Sequence, residues 1–527
     1  MDWSRLQVWG DVARLNASAL AAKAAFICGG KTTTFAQLNA RMNRLCHALA
    51  ALGLRKGDRV AILSRNRTEY LEAYGVAKSG LIAVPLNWRL APNELLHPLK
   101  DSGSVLLIAE PEFIPAIDSL RTRLQGVAHF VSLGAAQAGW IAYESLLAGA
   151  PAHEPQVEVS PQDVQCLMYT SGTTGRPKGA MLTHGGLMRN CRAAMEGVIG
   201  YRDDDLLLAV MPFFHVGGMW YYLYAAYTRG CSTAILPEFE PRAVLAALER
   251  HRATIVHLVP TMIQRLVDEP SLREFDLSQL RTMYYAASSI PADLLSRAIG
   301  VFRHSEFLQS YGSTEAGIIT VLTREDHRRA ASGPAHEHLL LSCGSVVDGA
   351  EVRILGDQAS PLGAGAVGEI AVRSDRAMAG YWNNPGATHA TVPDGWLRTG
   401  DLGRFDADGM LYVVDRKNDM IVSGGENVYP FEVEDALYRV PEILEAAVFG
   451  VPDPKWVEKV VAAVVLRPGS QATEGDIVRS VRAGLAAYKC PKNVVFTERL
   501  PRNASGKVLK KELRRLFAPA PAAGVQG

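Results

Sequence analysis

The sequence is defined first by what it lacks. Its 527 residues contain seven cysteines, at 28, 46, 166, 191, 231, 343 and 490, and none forms a CxxC pair. That spacing argues against a zinc site and against a disulfide framework, and it favours a reducing compartment. No uncharged apolar run approaches the roughly 18 residues of a membrane span. The first fifteen residues carry Asp2 and Asp11 and lack the apolar stretch of a secretory signal, so a cytoplasmic location is expected. Neither sign of charge dominates: 55 Lys+Arg stand against 54 Asp+Glu, a formal net charge of +1. Such a chain does not suit general nucleic-acid binding, which needs clustered cations, and any anionic ligand must be met by local charge and backbone donors. What is present is apolar: 48% hydrophobic and 21% charged residues allow a large core, and the length implies two or more domains.

The first third alternates helix and strand patterns. After Thr34, a candidate N-cap, Leu38, Met42, Leu45, Leu49 and Leu52 recur at helical spacing. RVAIL (59–63) reads as a buried strand, residues 68–80 as a helix ending at Gly80, and residues 81–87 as the next strand. The rhythm resumes at 241–259. Alternation at this spacing predicts an α/β fold with parallel, helix-flanked sheets. From 340 to 414 short strands and Gly-rich turns predict a β-rich subdomain. The polar run Asp415, Arg416, Lys417, Asn418, Asp419 separates two apolar strands. Beyond it, helix–strand–strand–helix predicts a small α+β domain. The expected division is a large domain over 1–415, a small mobile domain over 416–517 and a disordered tail over 518–527.

The sharpest local feature is the run Tyr169, Thr170, Ser171, Gly172, Thr173, Thr174, Gly175, Arg176, Pro177, Lys178, Gly179, after a strand-like segment and before the helix-like 184–194. Small and hydroxyl residues let backbone N–H groups approach phosphate oxygens, and Lys178 adds a point charge. The spacing lacks the Gly-Lys-Ser/Thr ending of a Walker A loop, which disfavours a P-loop kinase or ATPase. The run resembles the signature loop of the adenylate-forming superfamily, which includes acyl-CoA synthetases, peptide-synthetase adenylation domains and firefly luciferase. Five further segments follow in that family's order. They are 212–218, around His215 and Gly217; 309–317, with Gln309, Ser310, Tyr311, Gly312, Thr314 and Glu315; 396–401, ending at Asp401; 415–427, with Arg416, Asn418, Gly424 and Gly425; and 501–507, ending at Lys507.

The resemblance implies a two-step reaction. A carboxylate attacks the α-phosphate of ATP, and a thiol then displaces AMP from the acyl-adenylate. Negative charge builds in both steps, so placed cations and dipoles should dominate catalysis. By the same resemblance, Thr170–Gly175 and Lys178 cradle the β- and γ-phosphates, while Glu315 and Thr174 serve Mg2+, a hard cation that takes oxygen ligands. Thr314 bonds the α-phosphate, Asp401 and Arg416 meet the ribose, and Ala287, Ser288 and Tyr311 lie against adenine. Lys507 is the catalytic ammonium, and Asn418 is the pivot about which the small domain rotates between half-reactions. Gly424, Gly425 and Trp456 line the path of coenzyme A.

For the acyl group, His215, Gly217, Met219, Trp220 and Tyr224 are the candidate pocket residues. Helical spacing puts Trp220 and Tyr224 on one face, a stripe that serves a pocket wall or a core equally. No aspartate occurs from 206 to 267 to pair a substrate ammonium, which disfavours amino acids and leaves a fatty, alicyclic or aromatic monocarboxylate. The expected acceptor is coenzyme A, with no carrier domain after the small domain; a separate carrier protein is the alternative, and a non-catalytic nucleotide-binding protein a remoter one. Partners are thus ATP, CoA and a small carboxylate, with a homodimer left open.

Overall fold

The computed structural model describes residues 6–170, 176–288, 290–333, 335–423, 426–482, 484–502 and 507–517. Four sheets organise the described residues. The first runs Ile141–Ala142, His129–Ser132, Leu106–Ala109, Arg59–Leu63, Ile82–Pro85, Val164–Thr170, Lys178–Thr183. Its pairings are parallel except the last, an antiparallel hairpin. RVAIL shows why both faces are apolar: Val60 and Ile62 enter the central core, while Ala61 and Leu63 enter a second core on the opposite face. The predicted first helix is Phe35–Ala51, and Thr34 closes a capping box with Gln37. The segment at 68–80 is α-helical over Thr68–Tyr74 and tightens to a 3₁₀ turn over Gly75–Ser79; Gly80 ends it at φ 70°.

The second sheet has nine strands, with Thr282–Tyr285, Ile255–Leu258 and Leu206–Ala209 at its middle and the hairpin Glu306–Ser313/Gly317–Leu322 toward one edge. Phe26, Leu207 and Ala209 share the central core with Val60 and Ile62, so the two large sheets close on one another. The β-rich subdomain is a four-stranded antiparallel sheet, Ala350–Leu355, Gly368–Ser374, Leu397–Phe405, Leu411–Arg416. The small domain holds the fourth sheet, whose long hairpin Ile443–Asp453/Val457–Leu466 is buried on both faces. Asp415 and Arg416 finish the last strand of the subdomain. Asn418 occupies the turn at 417–420 before Ile421–Ser423 begins the small sheet.

All seven cysteines are free and five are buried. Among the described residues no helix is long and apolar enough to cross a membrane.

Candidate active site

The Gly-rich run joins the two strands of a hairpin. The strand Lys178–Thr183 stands between it and the helix His184–Arg192, so this is a strand–loop–strand arrangement and not the strand–loop–helix expected. Ser171, Gly172, Thr173, Thr174 and Gly175 lie outside the described residues, as do Gly424 and Gly425. The loop's flanks are anchored: Tyr169 donates to Asp101 at 2.6 Å, and His97 Nε2 pairs with the Pro177 carbonyl at 2.7 Å.

Thr170, at the end of its strand, donates its hydroxyl to Glu315 Oε1 at 3.2 Å. Glu315 sits in the tight turn of the hairpin Glu306–Ser313/Gly317–Leu322. Gly312 is required there, because a Cβ on it would stand 2.4 Å from the Gly317 carbonyl. Tyr381, absent from the sequence reading, donates to the same Oε1 at 2.9 Å, and its ring lies 4.3 Å from Lys178 Nζ. Tyr381 arrives because residues 379–382 pair with the hairpin strand, through Trp382 N–H to the Gly179 carbonyl and Met181 N–H to the Gly380 carbonyl. No local signal marks such a residue; only the chain crossing does.

Among the described residues no group of three or more His, Cys, Asp or Glu could hold a metal ion. One carboxylate beside a threonine hydroxyl nevertheless suits Mg2+, which keeps most of its shell for water and substrate phosphate. When bound there, the ion would neutralise phosphate charge.

Asp401 is paired across the sheet with Arg416 by strand register. Arg416 Nε meets Oδ1 at 2.7 Å, and the Tyr311 hydroxyl donates to Oδ2 at 2.7 Å. Burial, and then the Asp401 charge, push the Tyr311 phenol well above its ordinary value, so it remains a donor. Asp401 is only 6% exposed. Gln309 and Ser310 are buried on the same strand, and Thr314 is half-buried beside Glu315.

Lys507 comes to this place from the small domain. Burial, and then the Arg416 guanidinium, push its ammonium down to about 8, against the opposing pull of Asp401 and Asp419. Phe431 N–H on Asp415 at 3.0 Å ties the small domain to the end of the large one, while Arg514 on Asp419 at 2.9 Å and Lys510 on Glu434 at 2.9 Å brace the last helix against the turn at 417–420 and the small domain itself. After the strand Thr282–Tyr285, Ala287 adopts φ +77°, a left-handed conformation costing a non-glycine residue roughly 1–2 kcal/mol, with Ser288 exposed beside it. Strain of this kind collects at functional sites.

The expected acyl pocket is corrected in part. His215 and Gly217 keep open surface, whereas Met219, Trp220 and Tyr224 are fully buried. Trp9, from the first helix, stacks on Tyr224 at 4.2 Å and meets Trp220 edge-on at 5.9 Å; Tyr74 meets Trp220 at 5.2 Å. Residues 219–223 form a π-helical turn that is apolar all round, and a helix of that kind belongs inside. These three side chains are core. Burial, and then Arg89, push His215 down to about 4, leaving its imidazole neutral at physiological pH. Trp456 is half-buried, with Lys455 and Lys492 at 5.0 and 5.2 Å from its ring.

Comparison with known proteins places the chain in a family. The family described as AMP-binding enzyme matches residues 14–382, and that described as AMP-binding enzyme C-terminal domain matches 432–507. A feruloyl-CoA synthase of Amycolatopsis is 40% identical over 93% of this chain and 95% of its own. An indoleacetate–CoA ligase of Aromatoleum aromaticum is 38% identical over 92% and 93%. The crystal structure of the anthranilate CoA ligase AuaEII with anthranoyl-AMP superposes with a TM-score of 0.89 at 28% identity, covering 98% of this chain and 99% of that one. The chain belongs to the AMP-binding enzyme family. Its activity is that of an AMP-forming carboxylate–CoA ligase, with ATP, Mg2+ and CoA as cosubstrates and cofactor.

Proposed function

We propose that the protein activates an aromatic monocarboxylate in the cytoplasm, with Lys507, Glu315, Asp401 and Arg416 as the working groups of its first half-reaction. The observation that carries this is the convergence of Lys507, from the small domain, on the Asp401–Arg416 pair of the large one. A carboxylate oxygen attacks the α-phosphorus, and the bond to the bridging oxygen breaks toward pyrophosphate. Lys507 meets the charge that appears on the phosphates, while Asp401, held by Tyr311 and Arg416, accepts the ribose hydroxyls. Lys178, the 170–175 loop and Thr314 take the remaining phosphate oxygens; Ala287, Ser288 and Tyr311 border adenine. In the second half-reaction the CoA sulfur attacks the acyl carbon and AMP departs. We assign the turn around Asn418 as the hinge between the large domain and 421–517, with Gly424, Gly425 and Trp456 on the thiol's side. The Phe214 ring, 5.6 Å from that of His215, and the aryl acids named in three relatives favour an aromatic substrate.

The test is pyrophosphate release with ATP and Mg2+ over aliphatic, alicyclic and aryl acids, with and without CoA. Aryl acids should give the highest kcat/KM and yield aryl-CoA. A preference for aliphatic acids would reject the aryl assignment, and adenylate that CoA does not discharge would point to a carrier protein.

The depressed Lys507 ammonium gives a pH signature. Adenylation needs its charged form, which is lost as pH rises through about 8. For free enzyme, kcat/KM for ATP in adenylation should therefore fall above an inflection near 8, while thioester formation from supplied adenylate should show no such inflection. A shared inflection would reassign the group.

A further inference from the structure

The middle strand Ile255–Leu258 of the nine-stranded sheet carries a histidine that the reaction, as described, does not use. His257 is 1% exposed and stacks on Tyr284, its register partner on the next strand, with ring centroids 4.3 Å apart. Tyr222 closes another side at 5.4 Å, and its own hydroxyl is committed to the backbone carbonyls of Leu208 and Ile255. The Tyr284 hydroxyl is likewise committed, to Ser310. Neither ring nitrogen of His257 has a hydrogen-bond partner. The backbone of Gly217 is a polar neighbour of the ring and acts against the burial, without a hydrogen bond of full geometry. Leaving a buried polar atom unpaired is costly, because the group has given up its water without a replacement.

The direction in which this imidazole faces is informative. A Cβ on Gly217 would lie 3.4 Å from His257 Cε1, so the ring sits directly behind Gly217. Gly217 is two residues from His215, and these are the two residues of the expected acyl pocket that keep open surface. Burial pushes His257 down to about 3, so it offers one N–H donor and one nitrogen acceptor and no charge. A structural histidine on a strand would normally spend at least one nitrogen on a neighbour. This one pairs neither with a side chain, and its edge lies behind Gly217, which keeps open surface.

We propose that His257 is a specificity-determining residue that hydrogen-bonds a hydroxyl or N–H borne on the ring of the aromatic acid. The inference rests on the aryl reading of the substrate pocket and deepens it. A site whose buried polar atoms are satisfied only by the right substrate rejects the analogue that lacks the group more strongly than an apolar pocket rejects a missing methylene.

The experiment compares kcat/KM for 2-, 3- and 4-hydroxycinnamate with cinnamate, and for indole-3-acetate with naphthalene-1-acetate, in wild type, His257→Leu and His257→Gln. Wild type should favour one hydroxy isomer, or the indole, over its unsubstituted partner by about tenfold or more. In His257→Leu that ratio should fall to within about threefold of unity, and His257→Gln, which keeps a donor and an acceptor, should restore part of it. Leucine removes two unpaired polar atoms from the core, so the variant should fold with an undiminished Tm. Gly217→Ala, which keeps His257 but sets a methyl against it, should lower the ratio as well. A wild-type enzyme active on cinnamate but indifferent to ring hydroxyls overturns the proposal. So does a ratio that survives in His257→Leu, including equal loss on both acids, which would mark a purely structural role. Pyrophosphate release with aliphatic acids alone would instead reject the aryl reading, and this proposal with it.

Discussion

Lys507→Ala should lose adenylation by about 100-fold or more while still converting a supplied acyl-adenylate and CoA to the thioester. The asymmetry follows from where the ammonium stands. It lies beside Asp401 and Arg416, where burial and Arg416 already depress its proton affinity. In so dry a place an ammonium interacts strongly with any anion brought to it, and the nucleotide phosphates are such anions. Thioester formation displaces AMP and builds no charge on pyrophosphate, so the missing ammonium is not felt there. The measurement is single-turnover: pyrophosphate release for the first half-reaction, acyl-CoA appearance from synthetic adenylate for the second. Lys507→Arg is the control for charge alone; its bulkier, planar group should recover only a fraction, because the site is enclosed. Equal loss of both half-reactions would remove Lys507 from the first step and place it in both.

Glu315→Gln should lower kcat/KM for ATP by on the order of 100-fold at low Mg2+, with partial recovery as Mg2+ is raised. Among the described residues, the hydrogen bonds that reach this carboxylate, from Thr170 and Tyr381, land on Oε1. They orient the group from one side and leave its charge to act on the other. The amide keeps the shape but forfeits the charge, and its NH₂ faces donors if it takes the Oε1 position. Tyr381→Phe separates orientation from charge. Loss of one hydrogen bond to a carboxylate costs about 1.5–3 kcal/mol, so apparent Mg2+ affinity should weaken by about tenfold or more with the net charge unchanged. If Glu315→Gln lowers activity equally at all Mg2+ concentrations, the carboxylate acts on the nucleotide and not on the metal. A Tyr381→Phe enzyme indistinguishable from wild type would show that the hairpin turn alone orients Glu315.

Much of this protein can be read along the chain, and the reason is that its signals are local. Helical spacing with a capping residue placed Phe35–Ala51, and continuous apolar runs marked strands buried on both faces, as Val60 to Leu63 confirm. The ordered motifs identified the family, because each is a short contiguous string whose residue types and order can be read without knowing what the chain brings beside it. The Asp401–Arg416 pair is expected only from the family resemblance; it stands on two antiparallel strands, Leu397–Phe405 and Leu411–Arg416, the second of which runs into what reads in the sequence as a polar linker.

Tertiary structure decided the rest. Trp220 and Tyr224 share a helical face, and periodicity cannot say whether that face meets substrate or core; Trp9, from the start of the chain, settles it by stacking there. Tyr381 reaches Glu315 only because a distant segment bridges onto the hairpin at Ala180. His257 reads as one residue of a buried strand, and its two unpaired nitrogens become visible only when its neighbours on adjacent strands prove to be occupied elsewhere. Sequence therefore determined which chemical groups this protein carries and in what local geometry. Which of them share one dry, charged volume depends on crossings between segments far apart in the chain, and no local period encodes those.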